Sequence, residues 1–588
     1  MDISSAESRD RLRQALDVEI NTWKESTRAL RSRRNALAPI SRLPPETLAV
    51  IFSFLSPSAW DKEAGYFARM CVAHVCHRWR ETALNHPRLW SHIDFTKLIP
   101  AAMAEIIARA KMMPLHLEAD VIKLSVAQYE AFGSQLEEHI SHTRYLSISG
   151  CLQTTLDRLV SSAPTLEFLS LSHKSRKSAM PQVAITVNLF NCTAPRLTSL
   201  ELENCGISWK SPLLRGLRTL KIHNLSTASR PELEDWLDAL NDMPQLETLI
   251  LQSATPQAPQ ALKLISPSRP ATFPSLVRFH ISASARDCAL ALAHLTLPAL
   301  TWLHVDAESY DSEGGDAHFL IPYVARKVHV LQDIKLLRSV LISGERTRVE
   351  VLAWSISDAD FKDRDPNLLF RASVPVRWVF TDPVHIDWVY GVDTAIFDAL
   401  LTHLPLNSIS ALTAQTTDIR LTKEFWLSHA SRWPLLERAR LVPTTFRAFR
   451  EMLAEDAPPD GPRLSSLTEL ILVEVTLTEL RTSCLRDMLI KRVEQGVPLQ
   501  VLDLRQCVAA CRVIRWLTEI VVGVEEPPSK SREPPIGYYD DVDYYESGPW
   551  YENRRGFWFD DADEYDEAEC GDDDGYDDYG FYCGTTVL

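Results

Sequence analysis

Cys71, His74, Cys76 and His77 fall within seven residues, and their sulfur and imidazole donors are those that a structural zinc ion takes. Tetrahedral sites usually draw on separated C-x2-C pairs. This stretch instead has helical spacing, on which Cys71 and His74 share a face while Cys76 and His77 point elsewhere. No metal site is expected from the four. The acidic end of the chain offers the oxygen donors of a calcium loop, but that loop needs Gly at its sixth position and Glu at its twelfth. Taking Gly571 as the sixth residue puts Ala568 and Cys570 on ligand positions, and taking Gly575 puts Cys570 first, so both registers fail. Cys583 stands sixth from the end, where prenylation needs the fourth, and the terminal Thr-Thr-Val-Leu has a PDZ-ligand form too common to carry a conclusion. The sequence contains no G-x-G-x-x-G, G-x4-GK[ST], G-x-S-x-G, HExxH or paired C-x2-C motif, and only 19 glycines in 588 residues from which to build phosphate-cradling loops. Catalytic, cofactor and metal residues are therefore all expected to be none.

Charge narrows the partners. The formal net charge is -16, from 78 acidic and 62 basic residues. Residues 525–588 hold 20 acidic and 4 basic residues, which leaves 58 of each sign in positions 1–524. A neutral body lacks the clustered Lys and Arg that general nucleic-acid binding requires, so nucleic acid is not an expected partner. The start, MDISSAESRDRL, has no secretory signal pattern. The long uncharged run Cys288 to Val305 divides into a short helix and a strand, so no membrane span is expected. Eleven cysteines without regular spacing do not make a disulfide framework, and a reducing compartment, cytoplasmic or nuclear, follows as the expectation.

The elements that could bind a partner lie near the start. In residues 1–38 the apolar Leu12, Leu16, Ile20, Trp23 and Leu30 recur at mostly three- and four-residue steps among charged residues, which predicts an amphipathic helix over Ser8 to Ala36. It either pairs with a partner helix or packs back on its own neighbour, and the second is the default. Next comes ISRLPPETLAVIFSFLSP, with Pro44 and Pro45 at a helix start, Glu46 in its first turn, and Leu48, Ile51, Phe52 and Leu55 on one face. A second helix, FARMCVAHVCHRWRETAL, carries Met70 or Cys71, Val75, Trp79 and Leu84 on one side and ends near His86-Pro87, before Leu89-Trp90.

The ordered set LPPE, the IF and L of the first helix, VCHRW and P-x-LW resembles the F-box, in the F-box-like form common in large fungal families, over residues 39–95. The loop from Ser56 to Phe67 is longer than in compact F-boxes. The resemblance implies a helical hook that docks onto a Skp-type adaptor, and through it onto a cullin–RING ubiquitin ligase. The adaptor contacts it implies are Leu43, Pro44, Ile51, Phe52, Leu55, Val75 and Trp79. Some of these could equally form the hook's own core.

Downstream a phrase recurs nine times: Leu166-x-x-Leu169-x-Leu171, then again from Leu197, Leu217, Leu246, Leu276, Leu300, Leu436, Leu467 and Leu499. Its alternation predicts a strand with one buried face, while PELEDWLDAL and VIRWLTEI between phrases have helical spacing. One such unit cannot bury its own apolar face, so the units must stack. The expected fold class is α/β: the hook, then an irregular leucine-rich repeat solenoid over residues 96–524, with 306–431 an inserted or bulged section, then a disordered acidic, aromatic tail over 525–588. Cys205 and Cys507 are expected as buried turn residues. Within 306–431, Val351 to Trp354 and Arg377 to Phe380 read as degenerate strands. Glu201, Lys221, His280 and His304 are expected on the exposed strand row, where an unknown target protein would be gripped.

Three readings follow. The first is a non-catalytic, substrate-recruiting subunit of an SCF-type ligase. The second is a leucine-rich repeat scaffold acting outside ubiquitination. The third is an enzyme with converging titratable groups between Asp306 and Ser431.

Overall fold

The structure, a computed structural model, describes residues 6–54, 71–173, 183–185, 188–259, 270–308, 315–334, 337–345, 348–354, 376–381, 392–416, 419, 421–459, 461–477 and 479–528. The chain divides into two units, Met1–Glu533 and Pro534–Leu588, and all described residues lie in the first. Leu55, the Ser56 to Phe67 loop, Met70 and the calcium, prenyl and PDZ readings of the tail fall outside the described residues.

Each apolar position of the nine phrases, from Leu166 to Leu504, is at most 2% exposed, and every phrase contributes a strand. Together with others these form one 17-stranded sheet. In chain order the strands are β1 (His92–Asp94), β2 (Leu115–Asp120), β3 (Thr143–Ser149), β4 (Phe168–Ser172), β5 (Ser199–Glu203), β6 (Thr219–His223), β7 (Thr248–Gln252), β8 (Arg278–Ser284) and β9 (Trp302–Glu308). They continue as β10 (Ser339–Glu345), β11 (Arg348–Trp354), β12 (Val376–Thr381), β13 (Ala411–Thr416), β14 (Arg438–Leu441), β15 (Glu469–Leu477), β16 (Val501–Ala509) and β17 (Gly523–Glu525).

From β1 to β9 each strand pairs in parallel with its predecessor in the chain. The same holds from β13 to β17. Parallel neighbours need a crossover on one face, and the helices Leu233–Asn241 and Cys511–Thr518 supply two of these at the segments whose spacing predicts them. Ala285–His294 with β9 likewise divides the long uncharged run into helix and strand. No helix among the described residues is long and apolar enough to cross a membrane.

The region 306–431 joins the same sheet by a different path. β9 pairs in parallel with β12; β11 runs antiparallel to both β12 and β10; and β10 returns to a parallel partner in β13. Both degenerate strands of the sequence reading fall in β11 and β12.

The two cysteines expected in turns are buried but stand in strands, Cys205 in the short strand Cys205–Gly206 and Cys507 within β16. Asn204 takes a left-handed backbone at φ 54°, which Asn tolerates better than most side chains, and its Nδ2 donates to the His173 carbonyl at 2.9 Å. Cys205, next in the chain, is fully buried, and the Cys507 Sγ donates to the Leu472 carbonyl at 3.2 Å. Burial pushes both thiols up to about 12, so they are small core residues and not nucleophiles.

Candidate functional site

The hook is built from α1 (Ala6–Ala36), α2 (Pro45–Ser53), a helical stretch over 71–75, α3 (His77–Leu84) and α4 (Pro87–Trp90). α1 departs from the default expectation. Its apolar stripe is not packed back on the chain: Leu12, Leu16, Ile20, Trp23 and Leu30 are all exposed.

α2 starts at Pro45, where a missing N–H costs nothing, with Glu46 in its first turn. It is apolar on two sides. Leu48, Ala49 and Phe52 turn inward and are buried, whereas Val50, Ile51 and Phe54 occupy the opposite arc and are 55%, 41% and 81% exposed. Phe52 packs against Trp79 with ring centroids 5.1 Å apart. Phe52 is thus in the hook's core and not on its surface.

The second predicted helix is broken. Cys76 is extended, at φ -158° and ψ 169°, between the 71–75 turn and α3, and its carbonyl receives the Arg80 N–H at 2.9 Å. The break frees Arg78 to donate from both terminal guanidinium nitrogens to the carbonyls of Ser41 and Leu43. This fastens the segment before α2 to the start of α3. Val75, on the free side of the break, is 57% exposed, while Trp79 and Leu43 are half-buried against the core and Pro44 is exposed. Of the expected contact residues that are described, Pro44, Ile51 and Val75 therefore lie at the surface, Leu43 and Trp79 at its edge, and Phe52 beneath it. Val50 and Phe54 are exposed apolar residues outside that expected set. An apolar residue at nearly every position of α2 from Leu48 onward was their signal in the sequence.

The closing P-x-LW seals the hook onto the sheet. Leu89 and Trp90 are buried, the Trp90 indole N–H donates to the Ala83 carbonyl at 2.8 Å, and the Arg109 guanidinium lies 5.1 Å from the Trp90 ring. The four potential zinc donors do not gather: Cys71, His74 and His77 are exposed, and the His77 Nδ1 lies 3.5 Å from Glu81.

Residues 40–96 match the F-box-like family model. The F-box-like domain typically binds Skp-type adaptors in cullin–RING ligases, and it indicates an adaptor role in ubiquitin ligase complexes. F-box proteins are generally non-catalytic adaptors. No curated protein matches the chain.

From the end of this domain onward, the polar face of the sheet carries rows of paired side chains. His92, His116, Tyr145 and Phe168 occupy successive register positions on β1 to β4. Their rings stack in a ladder with centroid spacings of 3.8, 3.6 and 4.2 Å. Burial, with Glu118 and Glu201 nearby, pushes the Tyr145 phenol up to about 12 and keeps it protonated. Sequence reasoning missed this ladder, because its members align only once the strands pair.

The four residues expected on the exposed row do lie on the strand face, but they satisfy one another. Lys221 bridges Glu201 across β5 and β6, and His280 stacks on His304 at 4.0 Å. His304 is buried, contrary to expectation, since the neighbouring ring of His280 and the edge-on Trp302 cover it.

Within 306–431, His429 and Ser428 both bond Asp398, at 2.9 and 3.3 Å. A nucleophile relay would need the hydroxyl on the imidazole, and here it is on the carboxylate. Burial holds the His429 pKa below its usual value, with Asp398 opposing. The arrangement is that of a packed helix end.

Proposed function

We propose that this chain is the substrate-recruiting subunit of an SCF-type cullin–RING ubiquitin ligase. Its hook docks onto a Skp-type adaptor, and its body is an irregular leucine-rich repeat solenoid whose strand face holds a target protein. The observation that carries the reading is α2. A nine-residue helix buries one apolar arc in its own core and leaves Val50 and Ile51, with Phe54 at its C-cap, exposed on the other. Burying a large apolar side chain is worth ~1.5–3 kcal/mol, so these residues with Val75, Pro44 and the edges of Leu43 and Trp79 suffice for a stable interface. Phe52 supports the surface from below. The nine buried phrases and the parallel pairing of successive strands support the repeat reading. Ubiquitin transfer belongs to other subunits; this chain raises the target's effective concentration near them, up to the millimolar range for tethered groups.

The test is co-purification from cells of a reducing compartment, cytoplasm or nucleus. Recovery of adaptor together with cullin is expected. Leu43→Asp combined with Ile51→Asp should abolish both while the far-ultraviolet circular dichroism of the chain is unchanged. Undiminished adaptor recovery with that double variant would refute the contact set. Adaptor without cullin would favour a scaffold outside ubiquitination.

A further inference from the structure

We propose that His92, His116 and Glu118 form a binding site for a divalent metal ion of the zinc class. The inference does not rest on the ligase reading. Three features carry it, and the first is backbone placement. His92 on β1 and His116 on β2 are direct register partners, and Glu118 follows two residues later on the same face of β2. All three donors therefore project from adjacent paired strands of a sheet, where sites are held more tightly than on loops.

Distance is the second. The two imidazole nitrogens and the carboxylate oxygen lie within 4.8 Å of one another. The His116 Nε2 is 3.0 Å and the His92 Nε2 3.9 Å from the same oxygen, Oε1 of Glu118. Tetrahedral ligands at ~2.1 Å from a shared ion lie roughly 3.4 Å apart, and the His92 ring, now stacked on His116 at 3.8 Å, turns out of that stack to bring both nitrogens onto one ion while His116 stays held by Tyr145. Two imidazoles turned toward one carboxylate oxygen each need a proton there to donate. An ion at their common focus replaces both protons with one positive centre.

The third is support and access. Tyr145 stacks on His116 at 3.6 Å and Phe168 on Tyr145 at 4.2 Å, which fixes the plane of the imidazole from its far side. The three ligand side chains are 22%, 29% and 19% exposed, so an ion can enter and a fourth position stays open to water or to a donor from a bound protein. Two imidazoles and one carboxylate with an open position suit zinc, and also cobalt, nickel or iron in their divalent states. His92 lies in β1, within the F-box-like match, and the other two ligands lie beyond the match on β2, so the ion would tie β1 to β2.

The probes are Co2+, read by its visible ligand-field absorption, and Zn2+, read by calorimetry and by the rise in Tm, on the full chain after chelation. One equivalent should bind with a tetrahedral or five-coordinate cobalt spectrum, and zinc should raise Tm. His92→Gln with His116→Gln should remove the spectrum and the Tm shift, whereas Cys71→Ser with Cys76→Ser should leave both. Glu118→Gln, which keeps both imidazoles, should weaken Zn2+ binding at least about tenfold, and serves if the double histidine variant does not fold. No cobalt spectrum, or one that survives loss of these ligands, would overturn the site.

Discussion

The hook and the sheet use apolar residues in opposite ways. In the sheet, each phrase turns Leu, Ile, Val, Phe or Ala inward and leaves mostly polar or aromatic residues outward, so Leu220 and Leu249 are sealed while Lys221 and Thr248 face out. In the hook, α2 carries apolar residues on both arcs, and among the described residues only one arc is buried. The sheet satisfies itself, and the hook is left with apolar surface that calls for another molecule. A stripe of buried residues thus speaks of folding, whereas a second apolar arc on a short helix speaks of binding.

Adjacent residues of α2 put that contrast to the most direct trial. Phe52→Ala empties a site packed against Trp79 and should lower stability by about 3–5 kcal/mol in chemical denaturation, reducing adaptor capture only through loss of folded protein. Ile51→Ser should change stability by less than about 0.5 kcal/mol yet weaken adaptor binding directly in a titration of the folded chain. Equal stability losses in the two variants would erase the distinction between the arcs.

Within the body, the comparison sharpens at a buried charge. Lys327, on the helix Gly315–Ile334, donates to the Leu295 carbonyl, and burial with Arg326 nearby pushes its pKa down to about 8 from 10.5. Below about pH 8 the folded and unfolded chains both hold the proton, and the folded chain carries the whole cost of the buried ammonium. Between about 8 and 10.5 the unfolded chain alone retains it, so stability rises with pH. The span is worth about 3 kcal/mol. Lys327→Met should raise Tm at pH 7, and its advantage should shrink by pH 10; an advantage constant with pH would reject the account.

The smallest effect belongs to the outward row. Glu201→Gln or Lys221→Met removes a half-exposed pair and should cost at most about 1 kcal/mol, less in high salt, with adaptor binding untouched. A larger, salt-independent loss would mean that the outward face also holds the fold together.

The sheet was legible where the phrase L-x-x-L-x-L repeats, because burial of alternate residues needs that spacing whatever else surrounds it. β1, β2 and β3 have only short alternations, such as Leu115-Leu117-Ala119 and Leu146-Ile148, which many strands and some loops share. The hook was legible as two helices with a closing Trp, yet Ile51 and Phe52 could not be sorted, since adjacent apolar residues on a helix that is apolar all round look alike until the helix is docked. The break at Cys76 had no Pro or Gly to mark it, and the two carbonyls that Arg78 reaches from it are distant in the chain. His92, His116 and Glu118 are separated by up to 26 positions in the chain, and only strand register makes neighbours of them.

The path of the chain at β9 has a kinetic meaning. Strands that pair with their predecessor close short loops, so each of the two parallel runs can zip up by local, fast steps. β9 is different: its second edge waits for β12, which arrives only after a long helix and a hairpin have been laid down. That seam is where an internal strand edge stays open longest while the chain is made, and where an assisting chaperone would have most to shield.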